Sequence, residues 1–296
     1  MPLVSVLMTA YNREKYIAEA IESVLASTYR NIELIIVDDC SKDDTVQIAK
    51  KYEANDARIK VYRNEKNLGD YHNRNKAASY AKGEYLKYVD SDDLIYPWGI
   101  EVMVYCMEKF PNAGFGLISY NLKYNQHYPV EFSPAMAYYH YNFNGAMIIG
   151  GPTFSIIRTT AFNEVGGFSG KQYLGDTELW FNLSAKFSLV ALPPALAWWR
   201  EHEDQQMQQE LLNVQTEADR FHLHIRFLSN PKCPLQKDDN LIAIRNLKNR
   251  YARNLVKYFL RGDFKKTKEL YKSLHFTAGD IVRSFRFNQY PKTYNQ

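Results

Sequence analysis

The sequence predicts an α/β fold, a mostly parallel central sheet with helices on both faces, followed by a helical extension. Short apolar, β-branched runs alternate with stretches of helical spacing through the first 120 residues, which is the pattern of successive βαβ units. Three of the strands so marked end in polar loops carrying Thr9, Asp39 and Asp90, and in an open parallel sheet such loops share one edge. Beyond Asp204 strand signals stop and a basic, helical composition takes over. The chain divides accordingly into residues 1–120, 121–205 and 206–296.

The elements follow in order. Leu3 to Met8 is an apolar run that reads as a buried strand, and Lys15 to Ser27 places Ile17, Ala20, Ile21, Val24 and Leu25 at helical spacing. Ile32 to Val37 is a second strand ending in Asp38-Asp39-Cys40-Ser41, where Ser41 is placed to cap a helix from Val46 to Tyr52. Ile59 to Tyr62 is a third strand, Tyr71 to Ala81 a third helix and Glu84 to Val89 a fourth strand. Pro97 to Phe110 reads as a helix and Phe115 to Tyr120 as a strand, whereas Asn121 to Tyr141 shows no period and reads as a long loop. Phe154 to Ile157 is a strand, Thr160 to Val165 a short helix, and Asp176 opens a helix running to about Lys186 as its N-cap or first-turn residue. Ser188 to Leu192 and Leu196 to Arg200 are strands, and helices are expected over Asp204 to Leu228, Asp239 to Leu260 and Asp263 to Leu274.

Composition narrows the function classes. A net charge of +4 over 296 residues is too small to imply nucleic acid as a partner. The three cysteines, Cys40, Cys106 and Cys233, lie far apart without CxxC spacing and read as free thiols in a reducing compartment. No basic leader and no apolar run of bilayer length is visible, so the expected location is cytoplasmic, at most peripheral on the inner face of a membrane. The 23 tyrosines suit both core packing and grooves for flat polar ligands.

The chemistry concentrates at Asp90-Ser91-Asp92-Asp93, where an apolar strand runs into three carboxylates. Taken alone, the stretch reads as a solvated acidic turn ahead of a helix. Its place at the carboxyl end of a strand, beside two other polar strand ends, makes it a candidate site for a hard divalent cation with phosphate and water as further ligands. Asp176 is by itself as much a helix cap as a base, and a lone His202 is as often a surface or packing residue as a ligand.

In this order the motifs spell a pattern: Val4 to Asn12, Val37-Asp38-Asp39-Cys40-Ser41-Lys42-Asp43-Asp44-Thr45, Asn67-Leu68-Gly69 with Asn73-Arg74-Asn75, then Gly83-Glu84-Tyr85 and Asp90-Ser91-Asp92-Asp93. The chain resembles glycosyltransferase family 2, with the GT-A fold, over roughly its first 205 residues. The resemblance implies a nucleotide-sugar-binding half (1–120) and an acceptor-binding half (121–205). Thr9, Ala10, Tyr11, Asp39, Arg74, Asp90 and Ser91 would bind the nucleotide, with Tyr11 flanking the base and Asp39 accepting from a ring N–H such as that of uracil. Asp92, joined by His202, would ligate Mn2+ or Mg2+ at the diphosphate. Asp176 would be the general base of an inverting transfer, with Glu178 as fallback; the position before Asp176, commonly an acid in the family, is Gly175 here. The implied partners are a nucleotide-sugar donor, UDP-sugar first, and a glycan or lipid-linked acceptor of surface polysaccharide synthesis.

Three other readings stay open. A nucleotidyltransferase would carry a Gly-rich, basic phosphate loop after the first strand, where this chain has Thr9-Ala10-Tyr11-Asn12. A sugar-nucleotide hydrolase would turn over donor without acceptor. A non-catalytic nucleotide-sugar-binding protein would keep the site without the transfer. The basic extension reads either as a solvated helical cap, packing on the core or on a second subunit in a homo-oligomer, or as a contact with a membrane surface.

Overall fold

The computed structural model describes residues 1–119, 127–145, 148, 150–202, 214–285 and 289–291. They form two compact units, Met1–Ala137 with Ala146–His202, and Tyr138–Gly145 with Glu203–Gln296.

The first unit begins with β1 (Val4–Ala10), α1 (Ile17–Leu25), β2 (Ile32–Asp38), α2 (Thr45–Asn55), β3 (Ile59–Arg63), α3 (Asp70–Ser79) and β4 (Tyr85–Tyr88). It continues through β5 (Leu94–Ile95), α4 (Gly99–Glu108), β6 (Ala113–Ile118), β7 (Val130–Phe132), α5 (Pro134–Tyr139, whose last two residues belong to the second unit), β8 (Ser155–Arg158), α6 (Thr159–Glu164), α7 (Gly175–Ser184), β9 (Ser188–Leu192) and β10 (Ala197–Trp198). The main sheet has eight strands in the order β3-β2-β1-β4-β8-β6-β9-β7. The first four strands are mutually parallel; β8 runs antiparallel to both β4 and β6.

Side-chain alternation explains the two-sided packing. Val4, Val6 and Met8 of β1 join Leu34 and Ile36 of β2 and Ile17, Ile21 and Val24 of α1 in one core cluster. Leu7, Ile35 and Val37 point the other way and are just as buried, so both faces of these strands are covered, as parallel sheets require. Each such aliphatic side chain contributes about 1.5–3 kcal/mol by leaving water. The chain moves outward from β1 to β2 to β3 and then returns past β1 to β4. That reversal makes the carboxyl ends of β1 and β4 a topological switch point.

Three sequence expectations need correction. Ser41 does not cap α2: its hydroxyl accepts from the Asn12 amide at 2.8 Å, and Asp43 accepts from Thr45 N at 3.1 Å instead. The stretch read as a loop from Asn121 to Tyr141 holds β7, paired antiparallel with β9, and α5; residues 120–126 of it lie outside the described residues. A three-residue strand has no period of its own, and only the β9 edge gives it partners. Leu196 to Arg200 contributes two strand residues, which pair with β5 in a separate two-stranded sheet that sequence reading did not foresee. Asp176 stands in the first turn of α7, one of the two positions expected for it, with Leu174 as the N-cap.

The second unit contains α8 (Val214–Leu228), α9 (Lys237–Leu260), α10 (Phe264–Leu274) and α11 (Ala278–Arg283). Phe221, Leu223, Phe227, Leu247, Tyr251, Leu255, Leu270 and Leu274 form its buried interior. The helix expected from Asp204 is described from Val214 onward; residues 203–213 lie outside the described residues.

Candidate functional site

The loops after β1 and β2 are stitched together by short polar side chains. Asn12 stands at φ 53° and receives the Lys42 amide on its Oδ1 at 2.9 Å. Asp39 N donates to Ala10 O at 2.8 Å, and Arg13 N donates to Thr45 Oγ1 at 2.7 Å. The loop after β4 joins them through Ser91, whose buried hydroxyl donates to the Thr9 carbonyl at 2.8 Å. Thr9, Ala10 and Ser91 thus meet at the switch point. Tyr11 lies beside them with its side chain 42% exposed.

Asp92 is the centre of the arrangement. Its Oδ2 accepts from Arg13 Nε at 2.9 Å and lies 3.1 Å from His202 Nε2. The His202 ring packs against Tyr16 at a centroid distance of 4.8 Å, and its Nδ1 is buried without a hydrogen-bond partner among the described residues. Arg200 ties the returning chain to the same turn: its Nε donates to the Asp92 carbonyl at 2.9 Å and its amide to Asp93 Oδ1 at 3.1 Å. Arg200 also pairs with Glu19 and lies over the rings of Tyr16 and Trp198. A carboxylate and an imidazole sharing one point form a donor pair that suits a divalent metal such as Mn2+. Among the described residues there is no cluster of three or more metal-ligating side chains, so phosphate and water oxygens would have to complete such a shell.

Arg74 is buried on α3 and spans two carboxylates, donating to Asp90 Oδ1 at 2.6 Å and to Asp70 Oδ1 at 2.9 Å. Burial opposes its charge, but Asp70 and Asp90 outweigh burial and hold the guanidinium well above its ordinary range. The Asp70 carboxyl moves up, chiefly through burial, against the pull of Arg74.

Asp39 is engaged by its own chain. Oδ1 accepts from Asn64 Nδ2 and Leu68 N, both at 2.8 Å, and Oδ2 accepts from Gly69 N at 2.9 Å. Gly69 sits at φ 84°, a backbone conformation that favours glycine, and is the N-cap of α3. Three in-chain donors leave about one lone-pair position of the carboxylate for anything else. Its neighbour Asp38 faces elsewhere, taking Ser41 N at 3.0 Å, with its other oxygen buried and without a hydrogen-bond partner among the described residues.

A second group lies at the start of α7. Asp176 Oδ1 accepts from Thr177 N at 2.6 Å. Tyr71 is next to it: burial, then the charges of Asp176 and Asp70, push the Tyr71 phenol above its ordinary value. A Cβ on Gly175 would stand 2.7 Å from the Tyr71 ring, so the ring occupies the space that any side chain at 175 would need. Glu178 is buried and accepts from the Ser169 hydroxyl.

The model of the Glycosyl transferase family 2 domain matches residues 5–166, more than half the chain. The chain belongs to glycosyltransferase family 2. Among relatives of this chain, EpsE of Bacillus subtilis (strain 168) is 40% identical over 124 residues, 40% of this chain and 45% of EpsE. Glycosyltransferase GlyG of Streptococcus pneumoniae serotype 4 is 30% identical over 195 residues, 58% of this chain and 62% of GlyG. The matched stretch therefore spans about half the length of these two relatives. The fold is that of GT-A enzymes. S. aureus TarS 1-349 in complex with UDP-GlcNAc superimposes with a TM-score of 0.71 at 21% identity, over 96% of this chain and 82% of that one. The mannosyltransferase PcManGT from Pyrobaculum calidifontis, in complex with GDP-Man and Mn2+, gives 0.63 at 15% identity, over 96% and 86%.

Sequence reading of this family 2 member overlooked four side chains at the candidate site. Arg13 lies in a polar loop with no pattern to mark it. Asp93, named in the acidic cluster but given no role, is 3% exposed; burial first, then Asp90, pushes its carboxyl up to about 7. Thr153 donates no pattern either, yet its hydroxyl accepts from Asp90 N at 3.1 Å. Lys87 carried a usable signal, a cation inside an apolar strand. It is fully buried, and its ammonium donates to the carbonyls of Tyr88 and Thr153 beneath the acidic turn. Burial pulls it down to about 7, against the attraction of Asp90 and Asp93.

Proposed function

We propose that this glycosyltransferase is inverting and metal-dependent, and moves a sugar from a nucleoside-diphosphate sugar, a UDP-sugar first, to a glycan or lipid-linked acceptor of surface polysaccharide synthesis. The observation that carries the reading is the meeting of Asp92 and His202 on one carboxylate oxygen, beside the Arg74–Asp90 pair, at the switch point of the sheet.

In this reading Tyr11 flanks the base from its exposed position, and the Thr9-Ala10 backbone lines the nucleotide edge. Asp39 offers its remaining lone pair to a ring N–H while its other contacts shape the loop from Asn64 to Gly69. Asp90, braced by Arg74, accepts from a ribose hydroxyl, and Ser91 holds the loops of β1 and β4 in register. Asp92 and His202 would hold Mn2+ or Mg2+, which would neutralise charge developing on the departing diphosphate. The imidazole favours Mn2+, since Mg2+ prefers an all-oxygen shell. Asp176 takes the proton of the attacking hydroxyl; Glu178 is the weaker candidate because Ser169 already engages it. TarS bound to UDP-GlcNAc and PcManGT bound to GDP-Man and Mn2+ support a nucleotide-sugar donor and a divalent ion without choosing the base.

Calorimetric titration of UDP, GDP and dTDP, with and without Mn2+, tests the reading on the wild type and Asp92→Ala. Mn2+-dependent binding of UDP that is lost in Asp92→Ala is the expected result. Absence of binding by every nucleoside diphosphate under all conditions would sink the donor-site assignment. Release of free sugar from donor at the same rate with and without acceptor would favour a hydrolase.

A further inference from the structure

The second unit carries a surface feature to which the proposed function assigns no role. α9 ends and α10 begins around Gly262, which stands at φ 79° and lets the chain turn sharply. Gly262 N donates to Phe259 O at 3.0 Å and Asp263 N to Tyr258 O at 3.1 Å, so the turn is hydrogen-bonded rather than loose. Asp263 then caps α10 by accepting from Lys266 N at 3.1 Å. This built corner presents Phe259, Leu260 and Phe264 at 56%, 77% and 61% exposure. The two phenyl rings contact each other with centroids 5.3 Å apart, and Leu260, next to Phe259 in the chain, extends the apolar knob.

Charge is concentrated around the same knob. Residues 257–272 hold six cations, Lys257, Arg261, Lys265, Lys266, Lys268 and Lys272, against two acids, Asp263 and Glu269. The resulting excess of four equals the formal net charge of the whole chain, so the rest of the protein is balanced and this corner is not. Lys266 is used internally, between Glu217 and the Tyr258 ring. The other five make no ion pair among the described residues. Leu255 is buried and Tyr258 accounts for itself through Glu217, which leaves the exposed tips, not the whole helix, as the unpartnered apolar surface.

We propose that this corner docks the protein on an anionic lipid surface, with Phe259, Leu260 and Phe264 entering the interface and Lys257, Arg261, Lys265, Lys268 and Lys272 facing the headgroups. Large apolar side chains ringed by unpaired Lys and Arg satisfy both halves of an interfacial contact: apolar burial among acyl chains and attraction to negative headgroups. A second copy of this chain would bring the same positive charge to the contact and repel itself. No helix among the described residues is long and apolar enough to cross a membrane, so the contact is a surface one.

The test is co-sedimentation of the full chain with phosphatidylcholine vesicles and with vesicles that also contain phosphatidylglycerol, at low and high salt. Binding to the anionic vesicles, weakened by salt and absent from pure phosphatidylcholine, is expected. A variant combining Phe259→Ser, Leu260→Ser and Phe264→Ser should lower the partition coefficient by about tenfold or more, and one combining Lys257→Gln, Arg261→Gln and Lys265→Gln should lower it on anionic vesicles. Thermal melting of each variant checks that the fold survives. Equal binding by the triple Ser variant, or no binding to either vesicle, overturns the proposal. So does a wild-type dimer, by light scattering, that the triple Ser variant turns into a monomer, because the knob would then be a protein interface. Vesicle binding is independent of nucleotide binding, so the outcome is separate from that of the calorimetry.

Discussion

Arg13 and Asp92 lie 79 positions apart and are joined through Nε and Oδ2 at 2.9 Å, with both side chains largely buried. The same oxygen faces His202. In the proposed reading a guanidinium and a divalent cation would compete for one carboxylate, and the Arg13 pair would set part of the cost of metal binding.

Arg13→Gln should tighten Mn2+ binding about fivefold, which corresponds to about 1 kcal/mol for a partly exposed pair. Spin-resonance titration of free Mn2+ reads this directly. Unchanged or weaker binding would mean that Arg13 does not compete at Asp92.

Gly175→Ala should destabilise the protein by about 2 kcal/mol, because its Cβ would meet the Tyr71 ring at 2.7 Å. The sign is diagnostic: in a helix, alanine is ordinarily better than glycine by about 1 kcal/mol. In a Tyr71→Ala background the same change should become neutral or stabilising. Urea denaturation of the four proteins closes the cycle, and additivity would contradict the contact.

The Asp93 carboxyl, pushed up to about 7 in the folded chain, has an ordinary value near 3.8 when unfolded. A group harder to ionise when folded lowers stability as pH rises from about 4 through about 7. Asp93→Asn keeps an oxygen for the Arg200 amide and removes the charge. It should raise Tm by about 2–4 °C at pH 8 and leave it little changed at pH 4. A Tm difference that does not depend on pH would argue against a buried carboxylate as the cause.

Arg74→Met should be costly, because it leaves Asp70 and Asp90, each only about a quarter exposed, without their shared buried cation. About 3 kcal/mol of stability should be lost at neutral pH, and less at low pH, where Asp70, its carboxyl pushed up by burial, is protonated. Chemical denaturation at two pH values measures it; a loss below about 1 kcal/mol would show that water replaces the guanidinium adequately.

The sequence by itself determined the parallel half of the sheet and which loops meet at the candidate site. Local rules are strong there: Val4 to Met8, Ile32 to Val37 and Glu84 to Val89 are apolar runs bounded by turn residues, and each element is long enough to show its own period. The acidic turn, Asp39, Arg74 and His202 were legible because they punctuate those runs or sit in motif order. What only the tertiary structure decided is pairing between distant segments. The antiparallel placement of β8, the short β7 and the β5–β10 ribbon depend on edges supplied by other strands, which no local period encodes. The same holds within the site. Ser91 proved to be a tie to the Thr9 carbonyl, Asp39 an anchor for the Asn64 to Gly69 loop, and Gly175 a gap filled by Tyr71. Each of these roles is a distance between residues far apart in the chain, and close packing rather than local propensity sets such distances.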